Sequence, residues 1–437
     1  MKNRIFVSLL CIAILYTTVC STVCASDFSE AGLIEEGASV LVQDAEGNEL
    51  LINKEVYDEA VTISEDVAKE AALLFVSDII ACEDGVEWNE NTAVTSIVPM
   101  YDEDKSEITA YTVYLTEGYV VVSAFLDTPY TVMEWSDKAE PVIECFDAAS
   151  TEEYIYLGAM EYYADIGDAT LQDVDGTMVE RTELDNSIEA DRDAENLPSA
   201  VVEDMATLDD NKEVSTMKVT PPRDVRDPFK DANVYYRGPF VCQEWCNKWD
   251  DDMYYLTRES IGTEKTGVCV PLVITCAIRA YAFKHDDFLV HEKKIRTFNK
   301  VYNVGDSEGW ITVRGVQPEV YGKWAKKAFD KYGIETKVGE NTDLKYETMK
   351  GPLKRGSLLL VGMDKYDEIN GTVFNHAVLG FAYTRLKSQS TGYMKTYLKA
   401  ADTLSTSARY YDLKTIIKDE KDPNSRDAKF YEIYFYK

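Results

Sequence analysis

The chain holds 437 residues, 45% of them hydrophobic and 28% charged, with a formal net charge of −33. A length of that order suits two or three domains. The acid excess falls in residues 1–225, while residues 226–437 are close to neutral. This assigns the two parts different tasks, and the lack of a strongly basic domain argues against nucleic acid as a partner.

The first 25 residues read as a targeting segment. Lys2 and Arg4 make a positive start, Ile5 to Tyr16 is an apolar run, and Val23-Cys24-Ala25 supplies a small-residue cleavage site. That is the pattern of a secretory signal peptide. The protein is therefore expected to be secreted and extracellular, with no transmembrane segment, since no later stretch is apolar enough to span a bilayer. Of nine cysteines, Cys11, Cys20 and Cys24 lie in this segment; Cys82, Cys145, Cys242, Cys246, Cys269 and Cys276 remain. Export permits disulfides, but six cysteines in so long a chain are too sparse for a disulfide scaffold, and their pairing stays open.

Residues 26–59 are acidic with little periodicity and are expected to form a flexible N-terminus. Residues 65–81 have the spacing of an amphipathic helix. Strands are expected over 108–115, 119–125 and 130–135, which are rich in Val, Tyr and Thr, with Glu117-Gly118 and Asp127-Thr128-Pro129 as turns between them. Residues 142–146 fit a fourth strand and 154–164 a helix. Together these give a compact α+β unit over 60–166. From 167 to 225 Asp, Glu, Thr and Ser dominate, no apolar period holds, and Pro221-Pro222 closes the stretch; it reads as an exposed acidic linker.

The last part, 226–437, is expected to fold as a domain of its own. From Cys269 to Phe283 the apolar residues Val270, Val273, Ile274, Ala277, Ile278 and Tyr281 recur at helical spacing. Pro271 falls in the first turn, where its missing N–H costs nothing. A second helix is expected over 318–332, followed by strands over 357–363, 376–383, 393–400 and 431–436. Helix first and antiparallel sheet after is an α+β order.

Three side chains of this last region carry chemistry in combination. Cys269 opens the helix, where the positive end of the macrodipole favours a thiolate. His376 heads an apolar strand in Asn375-His376-Ala377-Val378, whereas His285 and His291 lie among charged residues and read as solvated surface. Asp402 follows the next strand, so a hairpin sets it beside His376. Singly, each has an ordinary reading: a buried thiol, a satisfied histidine, a turn aspartate. Jointly, a thiol, an imidazole and an orienting carboxylate make a cysteine-nucleophile site. Gln243, in Cys242-Gln243-Glu244-Trp245-Cys246, is a candidate oxyanion donor provided that a loop returns it to the helix start. The Cys242/Cys246 pair lacks nearby histidines and is a weak metal signal; a disulfide or two unrelated thiols is the simpler reading. Cys276, two turns beyond Cys269, reads as core or disulfide. No Gly-rich phosphate loop, HExxH motif or EF-hand pattern occurs, so neither cofactor nor metal is expected.

Several segments then carry a family resemblance. Residues 266–273 (Thr-Gly-Val-Cys-Val-Pro-Leu-Val), 277–281 (Ala-Ile-Arg-Ala-Tyr), 355–363 (Arg-Gly-Ser-Leu-Leu-Leu-Val-Gly-Met) and 375–383 (Asn-His-Ala-Val-Leu-Gly-Phe-Ala-Tyr), with Asp402 and Arg409-Tyr410-Tyr411, resemble papain-like bacterial secreted cysteine peptidases, close in layout to the double-glycine leader peptidases. Residues 117–137, which include Gly-Tyr-Val-Val-Val-Ser-Ala, resemble the propeptide of streptopain-type peptidases. The resemblance implies a papain-like domain, with the nucleophile helix packed on an antiparallel sheet, preceded by a small α+β prodomain. It implies Cys269 as nucleophile, His376 as base and acid, Asp402 as orienter and Gln243 as oxyanion donor. It further implies a zymogen that hydrolyses polypeptides through a thioester, with the intramolecular prodomain covering the cleft until the linker is cut. Val270 and Asn375 stand where the family has glycines, and no glutamine stands a few residues before Cys269. Two other readings therefore stay open: a peptidoglycan amidase or endopeptidase with the same triad, and a catalytically decayed surface-binding or inhibitory protein.

Overall fold

The computed structural model describes residues 39–43, 49–53, 62–181, 236–416 and 427–436, apart from short breaks at 83–84, 103–104, 126–130, 175, 177, 237, 264, 266, 286–287, 312–315, 317, 367–372 and 390–391. The expected signal peptide and most of the expected linker lie outside the described residues.

Strands β1 (Ser39–Gln43) and β2 (Glu49–Asn53) pair as an antiparallel hairpin. They lie within the stretch 26–59 expected to be a flexible acidic N-terminus, where two short apolar runs flank Gly47-Asn48, a hairpin signal; the rest of that stretch lies outside the described residues. Helix α1 (Glu65–Cys82) buries Val67, Ala68, Ala71, Ala72, Phe75, Val76 and Ile79, one face at i, i+3 and i+4 spacing. That face rests on a meander of β3 (Val94–Tyr101), β4 (Ile108–Leu115), β5 (Tyr119–Ser123) and β6 (Val132–Ser136). Its centre is aromatic, with the Phe75 and Trp135 rings 5.7 Å apart and edge-on.

The next segments depart from expectation. Residues 142–145 form a short 3-10 helix, not a strand. The helix expected over 154–164 is instead the hairpin β7 (Glu153–Gly158) and β8 (Glu161–Asp165). Its tyrosines suit a pleated surface better than a helix, and Gly158 and Met160 take positive φ at the turn. Strands β9 (Thr170–Asp173) and β10 (Met178–Glu180) extend the same sheet, so the first part of the expected linker belongs to the folded unit.

In the C-terminal unit, strand β11 (Phe240–Asn247) precedes the short helix α2 (Arg258–Ile261), then α3 (Cys269–Lys284), α4 (Lys294–Ser307) and α5 (Tyr321–Lys331). These helices share a core that includes Phe298, Trp324 and Phe329. Strand β12 (Thr336–Asp343), helix α6 (Tyr346–Lys354), strands β13 (Leu358–Tyr366), β14 (Val373–Ser388), β15 (Met394–Ala401) and β16 (Arg409–Asp412), helix α7 (Leu413–Ile416) and strand β17 (Asp427–Phe435) complete it. The strands lie in the order β16-β15-β14-β13-β17-β12. The long β14 pairs with β13 over its first half and with β11 over its second, while β15 runs along its other edge.

The two units do not stand apart. Strand β16 pairs with β6 through Tyr410↔Trp135 and Tyr411↔Glu134, fusing both sets of strands into one sheet of 15 strands among the described residues. All its pairings are antiparallel except the single Tyr101↔Ile155 contact of β3 with β7. Trp135 stacks on Tyr410 with ring centroids 3.6 Å apart, and one apolar cluster draws on Phe75, Trp88 and Trp135 from the first unit and Tyr236, Phe240, Leu386 and Tyr397 from the second. The architecture is mixed α+β with a large, mostly antiparallel sheet. Among the described residues no helix is long and apolar enough to cross a membrane.

Candidate active site

Helix α3 is the most deeply buried helix of the C-terminal unit. Thirteen of its residues are buried, from Cys269 through Ala282. Its start is set by Gly267, which takes φ +62, and a Cβ there would lie 3.0 Å from Ile311 Cγ2. The backbone turns sharply and leads Cys269 into the first helical position. No side chain caps this end, so the first turn directs its N–H groups out of the helix. Cys269 is 4% exposed and shares one apolar cluster with Ala377 and Ala401, the chain neighbours of His376 and Asp402. Cys276 lies wholly inside the protein, and burial pushes its thiol up to about 12; it is a core residue.

His376 lies on β14 opposite Met363 of β13 and is 7% exposed. Its Nε2 lies 2.8 Å from the main-chain carbonyl oxygen of Asp402. A carbonyl only accepts, so Nε2 carries the proton in the neutral ring and Nδ1 is left bare. Nδ1 is buried and has no hydrogen-bond partner. The ring is thus held in the form that can take a proton.

The group that meets His376 Nε2 is the Asp402 carbonyl and not the carboxylate that was expected beside the ring. The carboxylate is fully buried and turns to Arg409 Nη1, to the Tyr411 hydroxyl at 2.9 Å, and to the N–H groups of Leu404 and Ser405 at 3.0 and 3.2 Å. A buried charge seeks a counter-charge first, and a guanidinium lies within reach. The sequence places Arg409 only within Arg409-Tyr410-Tyr411 and assigns it no role, although an arginine between an alanine and two tyrosines at the start of a strand signals a buried cation that needs an acid partner.

Gln243 is not brought to the site. It is exposed, at a bulge where Cys242 pairs with Leu386 and Glu244 with Arg385. Nine residues of β14 separate that point from His376, about 30 Å along an extended strand. The same bulge sends Cys242 and Cys246 into different apolar clusters; burial raises the Cys246 thiol. His285 and His291 are exposed, as their charged neighbours imply. No group of three or more metal-ligating side chains occurs among the described residues. A cleft of about 190 Å³ at the junction of the two units is lined by Asp137, Lys138, Trp245, Asn247, Tyr255 and Lys399 among others, and neither Cys269, His376 nor Asp402 lines it.

No family model matches the chain, and no curated protein matches it.

Proposed function

We propose that this protein is a secreted cysteine peptidase, made as a zymogen, that hydrolyses polypeptides through Cys269 and His376. The observation that carries the reading is the state of His376: Nε2–H is tied to the Asp402 carbonyl, and Nδ1 is buried and unpartnered on a strand that packs against the helix opened by Cys269. The papain-like motifs around Cys269 and His376 support it.

In this mechanism Nδ1 takes the proton of Cys269 Sγ. The thiolate attacks the peptide carbonyl carbon, and N–H groups of the first turn of α3 receive the developing oxyanion. The imidazolium returns its proton to the leaving amine, which departs and leaves a thioester. Water, deprotonated by the same ring, then releases the acid and restores the thiol. No role remains for Gln243. The N-terminal unit is the counterpart of the expected prodomain; maturation cuts the connection between it and the peptidase unit, and the two stay paired through β6 and β16.

The test is incubation of the purified full chain, before and after limited proteolysis of that connection, with an unfolded protein substrate. Wild type should cleave once cut, and Cys269→Ala should not. A wild-type protein that stays inert in both forms, with Cys269 alkylated no faster than its other thiols, would remove the basis of the reading.

A further inference from the structure

The join between the two units contains a buried charged cluster that reaches the His376 ring. Arg409, at the start of β16, is 1% exposed. Its Nη1 donates to the Asp402 carboxylate, its Nη2 donates to the Glu140 carbonyl at 2.6 Å, and its Nε lies 4.0 Å from Glu134 Oε1. Glu134, on β6, is also fully buried and accepts from the Tyr119 hydroxyl and, at 2.8 Å, from the Tyr162 hydroxyl. Next to Arg409, the Ser136 hydroxyl donates to the Ala408 carbonyl at 2.7 Å. The segment 402–409 therefore begins at the carbonyl that holds His376 and ends in the grip of the N-terminal unit.

This segment needs holding. Thr403 takes φ +67, a left-handed conformation that a β-branched residue rarely adopts. The peptide between Asp402 and Thr403 fixes the direction of the Asp402 carbonyl. A strained turn of this kind persists only where its surroundings over-determine it, and the Asp402 carboxylate, tied to Arg409, Tyr411 and the N–H groups of Leu404 and Ser405, does so here.

We propose that Arg409 is a positioning residue for His376, acting through Asp402, and that the N-terminal unit holds Arg409 in place through Glu134 and the Glu140 carbonyl. The inference rests on the reading of His376 as the acid–base residue. It makes the N-terminal unit part of the working site: cutting the chain between the units leaves that hold intact, and stripping the N-terminal unit away removes it.

The experiment is the long-range ¹H–¹⁵N imidazole spectrum of the ¹⁵N-labelled full chain, in which three histidines give an assignable set. Wild-type His376 should show only the Nε2–H tautomer when neutral. Arg409→Lys keeps the charge but loses the planar fork, and the ring should then populate both tautomers. Glu134→Gln should move the ratio in the same sense by less. Asp165→Asn breaks a different buried ion pair, with Lys105 and Arg181, and should leave the ring unchanged. Turnover by Arg409→Lys should fall in kcat by about ten- to a hundredfold, with KM little altered, as expected for a misplaced acid–base group. A folded Arg409→Lys with the wild-type tautomer overturns the proposal. Should that variant fail to fold, Glu134→Gln decides with the same two outcomes. Failure of the peptidase reading would show in turnover alone and leave the ring spectra as described.

Discussion

The seam between the units and the candidate active site meet at the main chain of Asp402, yet the buried carboxylates of the one and the buried imidazole of the other are satisfied differently. At the seam, both oxygens of Asp402 and both oxygens of Glu134 accept hydrogen bonds. At the site, His376 Nδ1 is buried with no partner, and the helix end that carries Cys269 has no side-chain cap. A buried polar atom without a hydrogen bond costs about 1–3 kcal/mol. The seam has removed that cost for these two carboxylates, although Arg409 Nε and the Trp135 indole N–H are also buried without a hydrogen-bond partner, and the site has kept it at His376 Nδ1. A bare imidazole nitrogen, on a strand that packs against a helix with no side-chain cap, suits a proton in transit and a charge that develops only during reaction.

Seam and site can be perturbed independently. The largest effect is expected at the site: Cys269→Ala or His376→Ala should lower kcat by about 10³-fold or more without lowering the thermal midpoint, as measured by peptide turnover and calorimetry. At the seam the sign reverses. Trp135→Ala removes the ring stacked on Tyr410 and should cost about 3–5 kcal/mol of stability in denaturant unfolding. A smaller change in stability should follow from Glu134. Burial is the first cause that raises its carboxyl from 4.5 to about 7, against the opposing pull of Arg409 and of the Tyr119 and Tyr162 hydroxyls. The folded state then keeps a proton that the unfolded chain has released. The contribution, on the order of 3 kcal/mol, is fully present below about pH 4.5 and is lost as pH rises through 7. Thermal midpoints should fall across that window in wild type and stay flatter in Glu134→Gln. The smallest effect is expected for Gln243→Ala, which should leave kcat/KM unchanged; a drop would restore Gln243 to the site.

Much of the C-terminal unit was legible in the sequence because its elements are long and apolar. The spacing from Cys269 placed α3 to within one residue of its observed end, and β14 and β15 were found as neighbouring strands on either side of His376 and Asp402. Strand β4 was found with the bounds it has. Other elements were hidden for identifiable reasons. Strand β3 carries Pro99, which weakens a strand reading. Strand β11 mixes polar and apolar residues around a bulge that resets its alternation. The β7–β8 hairpin has apolar residues dense enough to imitate a helix over a short window. Continuity of the sheet through β6 and β16 is a long-range pairing that no local pattern announces. The expected triad was legible as three residue types, but not as geometry: a carboxylate and a carbonyl of one aspartate cannot be told apart by spacing, and here the ring meets the carbonyl while the carboxylate turns to Arg409.

The most direct measurement is the rate of alkylation of each thiol in the full chain, resolved by peptide mass mapping, for wild type and His376→Ala. If sulfur and imidazole work as a pair, Cys269 reacts faster than Cys276 and the remaining thiols at neutral pH, and the His376→Ala substitution erases that advantage. Equal, slow modification of Cys269 and Cys276, indifferent to the loss of the ring, would contradict the account.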